Sequence, residues 1–288
     1  CRATSPVAGK VREKIALYSS VPIERVFSMH DCPSVYVIPE MLREAGLDRA
    51  VVDILGLADR VHPEAEQTAR QTWDAYLTRL RNATDTVTIG VVGKYTSVRD
   101  SYASIIKALE HSGTQCGVKV ALDWIESTDL ATGTSSASAT SVAERLIHLD
   151  GLIVPGGFGA RGVEGKIACI RHARTTCLPY LGLCLGFQLA VIEYARDPVF
   201  FTDTASTEFY TECGSPVIDI LPEQKQIEGL GGNMRLGGHD VVLTPGSFAH
   251  EMFGGVDSVR LRFRHRYEIS PDRIEQLESA GLIFSGRA

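Results

Sequence analysis

Gly182-Leu183-Cys184-Leu185-Gly186 follows the apolar stretch Leu178–Leu181 and precedes a segment that reads as a helix. A cysteine flanked by glycines two residues away on each side, between strand and helix, has the pattern of a nucleophile elbow. The glycines permit a tight turn that lifts one side chain clear of the sheet. The following helix would turn its positive end toward the thiol, which predicts a favoured thiolate. Alone, the pentapeptide also suits a buried structural cysteine. A second loop, Val154-Pro155-Gly156-Gly157-Phe158-Gly159, ends the preceding strand. In an open parallel sheet, ligands bind at the carboxyl ends of the strands, so the two loops would face each other. A Gly-Gly turn can aim backbone N–H groups at a developing oxyanion, beside the N–H of Leu185. Together they suggest that Cys184 is a catalytic nucleophile. The glycine loop also suits close packing or phosphate binding, but it lacks the Gly-Lys-[Ser/Thr] of a P-loop.

These loops need a scaffold, and the sequence from Thr86 onward supplies alternating strands and helices. Thr86–Val92, Gly117–Ile125, Asp150–Val154 and Leu178–Leu183 read as strands. Asp100–His111, Val142–Leu149, Val163–Arg174 and Gly186–Ala195 read as helices. That alternation predicts an α/β fold of three layers, α/β/α, with a mostly parallel central sheet. Ala131–Ser141 is a low-complexity loop. His239–Leu243 and Asp257–Ile269 read as longer antiparallel strands, and Pro271–Ala280 as a closing helix. Upstream, residues 1–60 read as a small α/β piece, with Lys14–Tyr18 and Arg25–Ser28 as short strands and Pro39–Ala45 as a helix stopped by Gly46. Residues 61–85 read as a linker helix, with Pro63 in its first turn and Ala69, Trp73, Tyr76, Leu77 and Leu80 at helical spacing.

The 29 Lys and Arg against 35 Asp and Glu give a net charge of −6, which argues against nucleic acid as a partner. No apolar run approaches the ~18 residues that span a bilayer. Seven scattered cysteines fit free thiols in a reducing cytoplasm. Cys169, His172, Cys177 and Cys184 contain no Cys-x-x-Cys pair, and the expectation is no metal site. The first residue is Cys1 and no targeting segment is readable, which suggests a piece of a longer chain.

Further stretches complete the pattern: VVGKY at Val91–Tyr95, PGGFGARGVEG at Pro155–Gly165, PYLGLCLGFQ at Pro179–Gln188, STEF at Ser206–Phe209, LGGNMRL at Leu230–Leu236 and RHRYE at Arg264–Glu268. In order and spacing they resemble the glutaminase half of the CTP synthases, a family of class I glutamine amidotransferases. Residues 1–60 resemble the end of the preceding synthetase domain, and residues 86–288 the amidotransferase domain. The resemblance implies L-glutamine hydrolysis through a Cys184 thioester. The oxyanion hole falls to Gly157 and Leu185, and glutamine binding to Gly157, Leu185, Gly186, Phe187, Gln188, Glu208 and Arg266. Glutamine's α-carboxylate suits the planar fork of an arginine, and its α-ammonium suits a carboxylate. Lys14 corresponds to a lysine that contacts UTP or CTP, and His30, Asp31 and Cys32 to a stretch near ATP. The Arg161–Gly165 loop and the neighbourhood of Tyr267 would border the GTP site.

The resemblance further implies ATP and Mg2+ for the whole enzyme, GTP as allosteric activator, UTP and CTP as substrate and product, a homotetramer, and a cytoplasmic location. No cofactor is implied for glutamine hydrolysis. The family's Phe-His-Pro-Glu base motif follows the strand corresponding to Leu282–Ser285, and it has no counterpart before Ala288. His62-Pro63-Glu64 reads as a helix start. His172, His239, His250 and His265 have no matching role. Arg260, Arg262 and Arg264 read as one solvated face of a sheet whose opposite face is buried. A catalytically silent amidotransferase-like module and an unrelated α/β cysteine hydrolase are the alternative readings. STEF and RHRYE favour the amidotransferase over the unrelated hydrolase.

Overall fold

Lys10, Arg12, Glu13, Lys14, Ala16 and Leu17 are good helix formers, and they decide the first element. Gly9–Ser19 is a helix, α1, closed by Ser20 in the left-handed region at φ 55°. Lys14–Tyr18 is therefore its second half and not a strand. The apolar run Ile15–Tyr18 suggested a strand, yet only Ala16 is buried, with Leu17 and Tyr18 at 75% and 80% exposure. Arg25–Ser28 is also not a strand: Ile23–Arg25 forms one 3-10 turn. Downstream of that turn, Met29 bridges Arg2 in parallel. Helices α2 (Ile38–Glu44), α3 (Leu47–Leu55) and α4 (Pro63–Asn82) follow, and Gly46 separates α2 from α3 at φ 80°. Leu77 of α4 is buried, and Trp73 Nε1 donates to the Tyr36 carbonyl at 3.1 Å.

The computed structural model describes residues 1–94, 96, 98–130, 141–220 and 234–288. The predicted Ala131–Ser141 loop, except Ser141, lies outside them, as do Tyr95 and residues 230–233 of the quoted stretches. The chain divides into two units, one of Cys1–Asp85 with Glu110–Lys119, the other of Thr86–Leu109 with Val120–Ala288.

In the second unit, β-branched residues crowd β1 (Thr86–Gly93), whose last four residues are fully buried. Next along the chain come α5 (Ala103–Cys116), which belongs to the first unit from Glu110 on, β2 (Lys119–Glu126), α6 (Val142–Leu146), β3 (Gly151–Val154), α7 (Val163–Thr176), β4 (Tyr180–Gly182) and α8 (Leu185–Arg196). The four strands form one sheet in the order β2-β1-β3-β4, with β1–β3 and β3–β4 parallel. This is the predicted α/β arrangement with a mostly parallel central sheet. Its core gathers Val92, Leu152, Val154, Ile167, Ile170, Leu185, Leu189 and Ile192 from β1, β3, α7 and α8. Inside it, the buried Glu193 carboxylate accepts from Arg174 at 2.9 Å, so its charge is paired.

The remaining elements are β5 (Ile218–Asp219), β6 (Arg235–Leu243), α9 (Phe248–Met252), β7 (Ser258–His265), β8 (Glu268–Ile269), α10 (Pro271–Ser279) and β9 (Gly286–Arg287). Asp257–Ile269 is thus two strands and not one. β7 pairs β6 antiparallel and ends at His265, while β8 pairs β5. Leu282–Ser285 forms no strand, and Gly286–Arg287 pairs β6 in its place. On β7, Arg260, Arg262 and Arg264 are exposed as predicted. The opposite face is only half-buried, and Leu261 keeps 39% exposure.

Candidate active site

Cys184 occupies φ 52° and ψ −105°, a region that L residues rarely adopt. The strain is held by backbone on both sides. Leu183 N–H donates to the Val154 carbonyl at 3.0 Å, Gly186 N–H to the Leu183 carbonyl at 3.0 Å, and Gln188 N–H to the Cys184 carbonyl at 3.1 Å. The glycines are required by contact as well as by the turn. A Cβ on Gly182 would lie 2.6 Å from the Gly186 carbonyl carbon, and one on Gly186 only 1.9 Å from the Val154 oxygen. The elbow therefore sits directly on the end of β3, and Cys184 projects outward as an exposed residue.

The glycine loop meets it there. A Cβ at Gly156 would touch Cys184 Cβ at 3.4 Å, and one at Gly157 would touch Leu185 Cδ2 at 3.4 Å. The structure thus brings together the loop and the elbow. Glu208 is tied to the same neighbourhood, its Oε1 accepting from Gly159 N–H at 2.9 Å. Buried Gln188 donates its amide to the Tyr267 carbonyl at 2.8 Å, which anchors the backbone next to exposed Arg266 at the first turn of α8. Gly186 is buried and Phe187 is 46% exposed beside Cys184.

The surroundings work against the predicted preference for thiolate. Although the side chain reaches solvent, the protein packed around its sulfur desolvates it and pushes the Cys184 thiol up, the Leu185 N–H opposes this, and the carboxylates of Glu208 and Glu268 raise it further. A helix start was visible in the sequence, but the two carboxylates arrive from distant segments. Glu268 itself is held below the usual carboxylate range: burial would raise it, and His265 and Arg235 outweigh that effect. Arg235 donates to Glu268 at 3.0 Å and His265 Nε2 lies 2.5 Å from the same oxygen. Among the described residues no histidine hydrogen-bonds the Cys184 sulfur.

Lys166 was not singled out from the sequence. It lies in the first turn of α7 and keeps only 2% exposure. With Gly93, Lys94, Tyr102 and the Pro155–Phe158 loop it walls a cavity of about 110 Å3. Burial, and to a lesser degree the charge of Lys94, push its ammonium down to about 8 against the opposing pull of Glu126. Below pH 8 the folded protein carries the full cost of this buried charge. Stability should therefore rise as pH climbs from about 8 toward 10.5, where the unfolded chain still holds the proton. Lys166→Met is expected to remove that rise and to add about 3 kcal/mol at pH 7. Urea unfolding at pH 7 and 9.5 in chloride-free buffer measures both effects.

The family model described as glutamine amidotransferase class-I matches residues 97–288, two thirds of the chain, including the elbow and the glycine loop. The chain belongs to the class-I glutamine amidotransferase family. A second family model, CTP synthase N-terminus, matches residues 1–57. The CTP synthase of Methanopyrus kandleri is 42% identical over 100% of this chain and 52% of its own length. That of Archaeoglobus fulgidus is 42% identical over 99% and 50%, and that of Natronomonas pharaonis 44% over 96% and 48%. The chain spans about half the length of these relatives. Among solved structures, the Trypanosoma brucei CTPS glutaminase domain with bound acivicin superposes with a TM-score of 0.63 at 36% identity. That match covers 69% of this chain and 74% of the other.

In this class-I glutamine amidotransferase the remaining predicted residues lie in the first unit. Lys14 stands exposed on α1 with no hydrogen bond to His30, Asp31 or Cys32. Asp31 pairs with Arg2, the Cys32 thiol donates to the Ser34 carbonyl at 3.2 Å, and buried His30 Nδ1 has no partner. His62 is the residue before Pro63 at the start of α4, as its sequence context predicts. Cys169 is fully buried in the core of the second unit, and burial pushes its thiol up to about 12. Among the described residues no cluster of three His, Cys, Asp or Glu side chains could hold a metal ion. No helix there is long and apolar enough to cross a membrane.

Proposed function

We propose that this chain is the glutamine-hydrolysing half of a CTP synthase. The observation that carries the reading is Cys184 on a strained elbow with Gly156 and Gly157 packed against it. The Cys184 sulfur attacks the side-chain carboxamide carbon of glutamine. The carbonyl oxygen then bears the negative charge, which the Gly157 and Leu185 N–H groups stabilise. Collapse expels ammonia, which takes up a proton, and leaves a glutamyl thioester. Water cleaves the thioester to glutamate and restores the thiol. Glu208 receives the α-ammonium, Arg266 the α-carboxylate, and Gly186, Phe187 and Gln188 line the site. A base must accept the thiol proton, and the resemblance assigns it to the His-Pro-Glu segment of longer family members. The ammonia serves ATP-dependent amination of UTP to CTP in the longer, tetrameric protein, with GTP as activator. Lys14 and His30–Cys32 belong to its nucleotide sites. Among the described residues no three His, Cys, Asp or Glu side chains gather to hold Mg2+, and no step here runs through it.

Acivicin, a glutamine analogue bound in the trypanosomal domain, supports the reading. It is expected to add covalently to Cys184 in the full-length protein, as peptide mass spectrometry would show. A label on Cys177 or Cys213, or none, overturns the assignment. Absence of label favours the second reading, a catalytically silent module, for which the raised thiol speaks. Arg266→Lys loses the planar fork and is expected to raise KM for glutamine about tenfold with little change in kcat, measured by steady-state glutamate release.

A further inference from the structure

Arg266 sits at a bend that joins two sheets. β7 ends at His265, paired with β6, and β8 begins at Glu268, paired with β5. Arg266 is exposed, and among the described residues its guanidinium makes no hydrogen bond or ion pair. Its direction is therefore set by the backbone on either side. Glu268 spans the bend. Its Oε1 accepts from Arg235 Nη1 at 3.0 Å, and Arg235 is the β6 residue paired with His265. The same oxygen lies 2.5 Å from His265 Nε2. A carboxylate held below its usual range carries no proton, so His265 Nε2 is the donor. The three side chains keep only 18–22% exposure, where charge-assisted bonds are strong. Arg235 also lies over the Phe263 ring at 4.7 Å, which restricts its own movement. Beyond the bend, Gln188 holds the Tyr267 carbonyl at 2.8 Å. The Glu268 charge reaches Cys184, so without its two cationic or N–H partners it would also repel a substrate carboxylate.

We propose that Glu268 is a positioning residue for glutamine: by tying Arg235 and His265 across the bend, it fixes the backbone of Arg266 and aims its guanidinium at the α-carboxylate. This rests on the assignment of that carboxylate to Arg266 above. A bidentate pair demands a fixed direction of approach, so a loosened bend weakens the grip without removing any group that touches glutamine. The cost falls on substrate binding and not on the thioester chemistry at Cys184.

The test is steady-state glutamate release by the full-length protein. Glu268→Ala is expected to raise KM for glutamine about tenfold and to change kcat by less than about twofold. Glu268→Gln keeps an acceptor oxygen for both donors, so its KM should stay within about twofold of the unaltered value. In an Arg266→Met background there is no guanidinium to aim, and adding Glu268→Ala should leave kcat/KM unchanged. An unaltered KM in Glu268→Ala, an equal fall in kcat, or a further tenfold loss in the Arg266→Met background overturns the proposal. So does a Glu268→Gln variant as impaired as Glu268→Ala. Arg266→Met with an unaltered KM would instead refute the assignment of Arg266 itself, and the proposal with it. If Glu268→Ala does not fold, His265→Phe takes its place, since it removes one donor and keeps a ring beside Phe263. Its KM should rise about threefold, and no rise overturns the proposal.

Discussion

Cys184→Ser is expected to lower glutamine-dependent CTP formation in the full-length protein by about three orders of magnitude or more, and to leave ammonia-dependent formation near the unaltered rate. The contrast follows from where the residue stands. Its side chain projects from the elbow, while the strain at φ 52° is held by hydrogen bonds of neighbouring backbone. Serine can occupy the same turn, so the fold should survive, and circular dichroism would confirm that. The chemistry should not survive. The thiol is already pushed up by burial and by Glu208 and Glu268, so its activation depends on an external base. A hydroxyl is far harder to deprotonate and gives a poorer nucleophile under the same base. Ammonia supplied directly bypasses this step. Loss of both activities would mean that Cys184 supports structure common to both reactions, and would refute the proposed division of labour.

The parts of this site legible in the sequence are those that local pattern determines. β1 and β3 are runs of β-branched and aliphatic residues bounded by glycine, and the helix after Cys184 shows its period. What was illegible depends on distant segments. Lys166 follows Gly165 in an ordinary helical pattern, and only the folding of the Pro155–Phe158 loop and the end of β1 around it creates its burial. The raised thiol has the same origin, because Glu208 and Glu268 lie 24 and 84 residues beyond Cys184 in the chain. The break between β7 and β8 is likewise set from outside. Gln188 takes the Tyr267 carbonyl and β5 claims β8. In α1, the Ile15–Tyr18 run misleads because consecutive apolar residues carry no period, and the surrounding Lys and Glu decide for helix.

Gly186→Ala should be the most destabilising single-methyl change in the elbow, with a loss of about 3 kcal/mol or more. The added Cβ would stand 1.9 Å from the Val154 carbonyl oxygen and 2.8 Å from its carbon. Neither atom is a side-chain end that can rotate away. Val154 closes β3, where it pairs with Gly182 of β4, and its carbonyl also accepts the Leu183 N–H at 3.0 Å. Relief therefore requires α8 to withdraw from the sheet, which separates Leu185 and Leu189 from the core they fill. The same withdrawal would carry Cys184 away from Gly156, so activity should fall even where the variant still folds. Gly117→Ala is the control. Its Cβ meets nothing within 4 Å, and its φ of 73° costs only backbone strain, about 1 kcal/mol. Urea midpoints for the two variants should differ accordingly. Equal losses would show that the contact with Val154, and hence the seating of the elbow on β3, does not govern the stability of this turn.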